Sequence, residues 1–157
     1  MFHHETLDVY KVALEFNGWA GELLDGELAA CKLNVVKQLD RAASSIPLNI
    51  AEGNGKRSGR DQGRYLDIAR GSALECAACL DTLVVRRALK ADAVPTGKKL
   101  LERIVGMLVK MTMRILGEAR KPTADNDNDQ DHDQDSDHDN DHDYDHGRDP
   151  GRRHSLR

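Results

Sequence analysis

The chain has 157 residues, 39% of them hydrophobic and only 4% aromatic, and a formal net charge of −4. No segment approaches the roughly 18 consecutive apolar residues of a membrane span, and the N-terminus lacks the apolar centre of a secretory signal. We therefore expect a cytoplasmic protein with reduced thiols. The scarcity of aromatic side chains argues against nucleic-acid recognition by base stacking.

The charge is unevenly distributed along the chain. Residues 1–121 contain 19 Lys and Arg against 15 Asp and Glu, whereas residues 122–157 contain four Arg against 12 Asp. A body of charge +4 is thus joined to a tail of charge −8. Because the tail is almost free of large apolar residues, it cannot bury enough surface to fold. The sequence predicts one folded domain over residues 5–121 and a disordered acidic tail over residues 122–157.

The tail has Asp at every odd position from 125 to 145. Three interpretations are open: a solubilising segment, an electrostatic mimic of nucleic acid that competes for the basic body, and a weak divalent-metal site that combines Asp with histidines. An EF-hand is excluded, because Gln130 stands where the loop needs Gly and Ser136 where it needs Glu. The histidines available to a metal are His132, His138, His142 and His146.

Apolar residues at three- and four-residue spacing predict four helices and no strand. The first covers about residues 6–24, and its wide apolar arc suggests contact on two sides. The second covers about residues 31–52 and continues past Pro47 with a kink. The third begins after Ser58, which with Asp61 has the spacing of a capping box, and it fades near Leu89. Small residues cluster on it.

The fourth helix runs from about Pro95 to residue 120. Helices of this length joined by short loops indicate an all-α, antiparallel up-down four-helix bundle. The wide arc of the first helix and the small-residue surface of the third exceed what one bundle core requires. We therefore expect several copies of the bundle to assemble into a ring.

The segment GNGKRSG, residues 53–59, connects the second and third helices. It is neither a Walker loop nor a dinucleotide fingerprint, because both need a preceding strand and a different spacing. One interpretation is a plain turn, with Gly53 stopping the helix and Gly55 relieving strain. The other adds an anion site, in which Lys56, Arg57, Arg60 and Arg64 surround the start of the third helix.

The same region carries a family signature. The family pattern is S-x-P-x-N-I-A-E-G, a basic loop, and then R-[FY]-L-x-I-A-x-G-S-x-x-E. This chain matches it from Ser45 to Gly53 and from Arg64 to Glu75, and the opening L-D-V-Y-K also fits. Over about residues 6–117 the chain resembles the 23S rRNA intervening-sequence proteins. One departure is Ala77, where the family often has a second acid.

The resemblance implies a four-helix bundle that forms a ring, most often a pentamer. A related group serves as accessory proteins of diversity-generating retroelements, where a basic pentamer is thought to engage a reverse transcriptase and nucleic acid. The family has no established enzymatic activity. We accordingly expect no enzyme, no cofactor and no metal in the folded body, whose only histidines are His3 and His4.

Several polar residues of the signature have a structural interpretation. A hairpin with its apex near residue 56 places Asn49 near Arg64, Ser45 near Asp67 and Arg41 near residues 71–75. Because buried polar groups need partners, Asn49, Glu52, Arg64 and Glu75 are predicted to form a structural network. Catalysis or ligand binding by these residues is the alternative. Cys76 and Cys79 have C-x-x-C spacing, which fits helix packing better than metal or redox chemistry.

Three function classes follow from these observations. The first is a homo-oligomeric bundle that binds nucleic acid or a nucleoprotein partner through basic residues. The second is a protein-interaction or structural ring with no nucleic-acid ligand. The third, a metal-binding or hydrolytic protein, rests only on the tail. The residues predicted to contact nucleic acid are Lys56, Arg57, Arg60, Arg64, Arg86 and Arg87.

Overall fold

A computed structural model describes residues 2–119. This part of the chain contains four α-helices, two short 3-10 helices and no strand, which confirms the four predicted helices. The predicted acidic tail lies outside the described residues. The α-helices are α1 (Asp8–Asp25), α2 (Asn34–Asn54), α3 (Gly59–Val85) and α4 (Pro95–Ala119), and the 3-10 helices are His3–Thr6 and Ala91–Ala93.

Local chemistry explains where α2 and α3 begin and end. The side chain of Ser58 accepts a hydrogen bond from the backbone N–H of Asp61 at 3.4 Å, which confirms Ser58 as the N-cap of α3. Pro47 lies inside α2, and the helix continues past it to Asn54, two residues beyond the predicted end. Gly53 is therefore a residue of the helix, and the interpretation of Gly53 as its stop is wrong.

The C-terminal cap of α3 contains an arginine in the left-handed backbone conformation. The N–H of Arg87 donates to the carbonyl of Val84 and the N–H of Ala88 to that of Leu83, both at 2.9 Å. This pair of bonds is a Schellman motif, in which the residue after the cap adopts the left-handed conformation. Here that residue is Arg87, with φ of 59°, although glycine usually occupies the position.

The helices pack in a cyclic order. Helix α2 packs against α1 and α3, and α4 packs against α3 and α1, so that α1 and α3 occupy diagonal corners. Two contacts on each neighbour show the direction of α4. On α1, Trp19 meets Gly97 and Glu15 meets Arg103; on α3, Asp81 meets Lys98 and Gly63 meets Leu116. The two diagonal helices α1 and α3 thus run opposite to α4.

The register of α2 against α3 differs from the expected one. Arg41 contacts Glu75, within the range predicted for it, but Ser45 contacts Ser72. The predicted neighbour of Ser45 was Asp67, and this prediction is wrong. The two observed contacts place the apex of the hairpin near residue 58, about two residues beyond the predicted apex.

Most of the apolar face of α1 is buried inside the bundle. Trp19 packs against the core, and of the large apolar residues of this helix Leu14 is exposed, at 46%. The arc is therefore largely covered within one copy, where α1 contacts α2 on one side and α4 on the other, so the expected contact on two sides is made inside the bundle. The buried residues of α1 are Val9, Val12, Ala13, Phe16, Ala20 and Leu23.

Two glycines permit close contact between helices. A Cβ atom at Gly53 would lie 3.0 Å from the Cβ of Tyr65, and one at Gly97 would overlap the ring of Trp19. Gly55 has an ordinary φ of −82°, so the expected relief of strain at Gly55 is not needed. Among the described residues, no helix is long and apolar enough to cross a membrane.

Candidate nucleic-acid interface

The six basic residues predicted to contact nucleic acid fall into two groups at opposite ends of α3. We call the first the turn cluster (Lys56, Arg57, Arg60 and Arg64) and the second the far cluster (Arg86 and Arg87). Helix α3 has 27 residues and is therefore about 40 Å long at 1.5 Å per residue. The structure does not bring the six residues together into one surface.

Lys56 differs from the rest of the turn cluster because an acid neutralises it. Its Nζ atom lies 3.1 Å from Oε1 of Glu52 and 4.5 Å from the centre of the Tyr65 ring. Hydrogen bonds from Tyr65 and then Lys56 lower the pKa of the Glu52 carboxyl. The hydrogen bond to Glu52 raises the pKa of Lys56. Lys56 thus carries a charge that is already compensated.

The three arginines of the turn cluster are exposed. Within the described part of the chain, neither Arg57, Arg60 nor Arg64 forms an ion pair. Arg60 and Arg64 lie one helical turn apart and border a shallow depression of about 450 Å³ that Leu116 of α4 also lines. Their guanidinium groups are therefore available to an anionic partner.

The far cluster is divided between two depressions. Arg86 borders a groove of about 580 Å³ with Lys32, Gln38 and Thr82. Arg87 borders a separate depression of about 870 Å³, which the acids Glu27 and Asp92 also line. The two arginines consequently belong to different surfaces, and both surfaces are partly acidic, since Glu75 lines the groove beside Arg86.

The predicted polar network is built from different pairs than those expected. Nδ2 of Asn49 donates to the carbonyl and to Oγ of Ser45, at 2.8 and 2.9 Å. Oγ of Ser45 lies 2.9 Å from Oγ of Ser72, which donates to the carbonyl of Ile68 at 3.1 Å. The predicted contact of Asn49 with Arg64 is absent from this chain of hydrogen bonds.

The charged members of the predicted network lie apart from that chain. Glu75 contacts Arg41 at 3.5 Å, and Glu52 belongs with Lys56 and Tyr65. Arg64 contacts neither acid in the described structure. The sequence did place Ser45 and Ser72 in the family signature, but only the correct register of α2 against α3 reveals that they link the two helices.

The two cysteines of the C-x-x-C spacing are buried in the core. Desolvation by burial raises the pKa of Cys76 to about 12 and also raises that of Cys79. Both thiols are protonated at neutral pH and hence poor nucleophiles and metal ligands. Among the described residues, no group of three His, Cys, Asp or Glu could hold a metal ion. The metal interpretation of the tail concerns residues outside this range.

Comparisons with known proteins agree with this architecture. The family model described as 23S rRNA-intervening sequence protein matches residues 5–110. A crystal structure of a protein with unknown function from the S23 ribosomal protein family of Bacteroides thetaiotaomicron is similar, with a TM-score of 0.58 and 22% identity. The similarity covers 66% of this chain and 97% of that one, and it concerns the fold. No curated protein matches the sequence significantly.

Proposed function

The chain belongs to the 23S rRNA-intervening sequence protein family, and from this premise we propose that it is a non-enzymatic, cytoplasmic accessory protein that binds nucleic acid. The turn cluster contacts the phosphates, either of free nucleic acid or of nucleic acid within a nucleoprotein. The observation that carries the proposal is the exposure of Arg57, Arg60 and Arg64 without an ion pair in the described structure.

The position of these arginines suits phosphate binding. They flank the N-terminal end of α3, where the helix dipole favours negative charge. A guanidinium group also matches phosphate geometry with two parallel hydrogen bonds. Two features of the turn cluster therefore act in the same direction, and both attract phosphate irrespective of base identity.

Recognition is proposed to follow backbone shape rather than sequence. The ring of Tyr65 is already occupied by Lys56, and the chain contains only two Phe, one Trp and three Tyr. Without free aromatic rings, bases have no platform for stacking. Structured RNA, whose phosphates and sugar hydroxyls define an A-form surface, is accordingly the ligand class that fits best.

We further propose that the antiparallel, up-down bundle assembles into a homo-oligomeric ring, a pentamer as the resemblance implies. In a ring, identical turn clusters repeat at a fixed spacing. One RNA molecule could then contact several clusters, and each further contact would be intramolecular, which raises the overall affinity without any new interaction per copy.

The test is a binding titration of the full chain with a fluorescently labelled RNA hairpin at low and physiological salt. Changing Arg57, Arg60 and Arg64 together to Gln should weaken binding on the order of 100-fold at low salt and flatten its salt dependence. The matched control changes three lysines that belong to neither cluster, Lys37, Lys99 and Lys110, to Gln. It should weaken binding by no more than about threefold.

Equal losses in the two triple variants would mean that only net charge matters, and would overturn the turn cluster as the site. If the parent chain does not bind even at low salt, the second function class holds: a protein-interaction ring without nucleic acid. A specific observation favours that alternative, because Leu48, Val85 and Met113 are large apolar side chains exposed at 67%, 81% and 69%.

A further inference from the structure

Helix α1, together with its N-cap residue Leu7, and helix α3 carry series of residues with identical spacing, which face outward except for Leu7, a residue partly buried against the core. The α1 seam comprises Leu7, Lys11, Leu14, Gly18, Gly21 and Asp25, and the α3 seam comprises Asp67, Gly71, Leu74, Ala78, Asp81 and Val85. In both, the steps alternate between four and three residues, the pattern of a coiled-coil seam. Each position of the α3 seam follows its α1 counterpart by 60 residues.

The central positions of both seams are unpartnered within one copy. Leu14 and Leu74 are 46% and 54% exposed. A Cβ atom added at Gly18 or at Gly71 would meet nothing within 4 Å, and Ala78 is also exposed. Each helix therefore presents an exposed leucine beside residues small enough for another helix backbone to approach closely.

The two seams also lie at nearly the same height in the bundle. Trp19 of α1 contacts Gly97 of α4, and Asp81 of α3 contacts the next residue, Lys98, at 2.6 Å. The residue numbers of positions at the same height on α1 and α3 thus differ by about 62. The two seams differ by 60 in residue number, so they are offset in height by about two residues, or about 3 Å. Since both helices run opposite to α4, they point in the same direction.

We propose that the α1 seam of one copy packs in parallel against the α3 seam of the next copy. This inference rests on the ring assembly proposed above and names its contact. Leu14 lies opposite Leu74 and Gly18 opposite Ala78, so a leucine layer is followed by a layer of small residues. Because the two seams are different surfaces of one copy, the contact is heterologous and each copy offers a free seam to a further copy; the ring closes when successive copies are rotated about a common axis.

Charge complementarity in this pairing comes from Lys11 of the α1 seam, because the α3 seam has no basic residue. The charged residues of the α3 seam are both acidic, and each has an ion pair within one copy: Asp67 with Arg70 at 3.3 Å and Asp81 with Lys98 at 2.6 Å. In this register Lys11 lies one turn from Asp67 of the neighbouring copy, and Asp25 of the α1 seam lies one turn from Asp81. Within one copy, Lys11 has only an exposed, weak pair with Asp8 at 3.5 Å.

Cross-linking of the full chain tests the register. Leu14→Cys and Leu74→Cys are made singly, co-produced with different tags and treated with a short bismaleimide, and the parent chain with Cys31, Cys76 and Cys79 serves as background. We expect cross-linked dimers from the mixture of the two variants, with peptide mapping that joins positions 14 and 74. Neither variant alone should exceed the parent's background.

A second pair of variants tests the close approach of the helices. Gly18 and Gly106 both lie inside helices with nothing within 4 Å of an added Cβ, so Gln at either position leaves the single copy folded. Gly18→Gln should lower the oligomer mass measured by light scattering to that of the monomer, whereas Gly106→Gln should not. Circular dichroism confirms that both variants keep their helices.

The outcomes separate this inference from the proposed function. Cross-links that join 14 to 14 or 74 to 74, or an oligomer insensitive to Gly18→Gln, would overturn the seam contact and leave the ring intact. A monomer mass for the parent chain would overturn both the contact and the ring. RNA binding is measured independently, and its loss or retention does not bear on the register.

Discussion

The turns at the two ends of α3 differ in how they use glycine. The turn that precedes the helix is rich in glycine, yet Gly53 lies inside α2, Gly55 has a φ of −82°, and Gly59 is the first residue of α3. The far end has no glycine between residues 86 and 96, yet Arg87 has a φ of 59°. At the two ends of α3, glycine is thus needed for close packing, at Gly53, whereas the left-handed conformation is adopted by an arginine.

Close packing explains where glycine is required. Gly53 allows α2 to approach the Cβ of Tyr65 at the turn end, and Gly97 accommodates the ring of Trp19 near the far end. In both cases the obstacle to a side chain is another residue rather than the local backbone. If the comparison holds, substitutions at these glycines should be costly in proportion to the overlap they create.

The largest effect is expected at Gly97. Alanine there would overlap the Trp19 ring, and overpacking of this kind typically costs about 1–3 kcal/mol. We expect Gly97→Ala to lower the free energy of unfolding by about 2 kcal/mol, measured by urea denaturation at a fixed protein concentration. The control is Gly106→Ala in the same helix, which has open space and should gain about 0.5–1 kcal/mol. A neutral Gly97→Ala would contradict the packing role.

A smaller loss is expected at Gly53. A Cβ there would lie 3.0 Å from Tyr65 and 3.3 Å from the carbonyl of Gln62, so one of the two helices must shift. We expect Gly53→Ala to cost about 1–1.5 kcal/mol in the same measurement. Gly55→Ala meets the carbonyls of Glu52 at 3.4 Å and Ala51 at 3.9 Å, both ordinary contacts, and should stay within about 0.5 kcal/mol of the parent. Equal effects at both positions would show that the turn, not the helix contact, selects glycine.

The smallest effect concerns Arg87 and has the opposite sign. A left-handed conformation costs a non-glycine residue about 1–2 kcal/mol. Glycine removes this strain, but it also increases the conformational entropy of the unfolded chain, which offsets part of the gain in stability. We expect Arg87→Gly to stabilise the protein by about 0.5–1 kcal/mol in thermal or urea unfolding. Arg87→Ala keeps the strain and removes the charge, so it should be nearly neutral. A gain from Arg87→Ala as large as that from Arg87→Gly would assign the effect to charge instead.

Helix positions followed from the sequence, whereas relations between helices did not. The three- and four-residue spacing located all four helices, and Ser58 fixed the start of α3 as predicted. The pairing of Ser45 with Ser72 was missed because an error of a few residues at the turn changes every partner along the hairpin. The strain at Arg87 carried no signal at all, since the sequence there contains two arginines and no glycine.

The candidate site was predicted as a list of residues but not as a surface. Sequence spacing grouped Arg60 and Arg64 correctly, because residues one turn apart share a helix face. It could not show that Lys56 is compensated by Glu52 and Tyr65, nor that Arg86 and Arg87 border different depressions. Such facts depend on tertiary neighbours, which only the folded chain supplies.

The hydrogen-bond chain between α2 and α3 has a definite polarity. The single proton of the Ser72 hydroxyl is committed to the carbonyl of Ile68, so the hydroxyl of Ser45 must be the donor towards Ser72. The Asn49 amide then donates twice to Ser45. A carboxylate at this position has no proton to donate to the Ser45 carbonyl, so deamidation of Asn49, an ageing reaction that barely alters its shape, would make that contact repulsive. It would also attract the hydroxyl proton of Ser45 away from Ser72 and so break the link between α2 and α3.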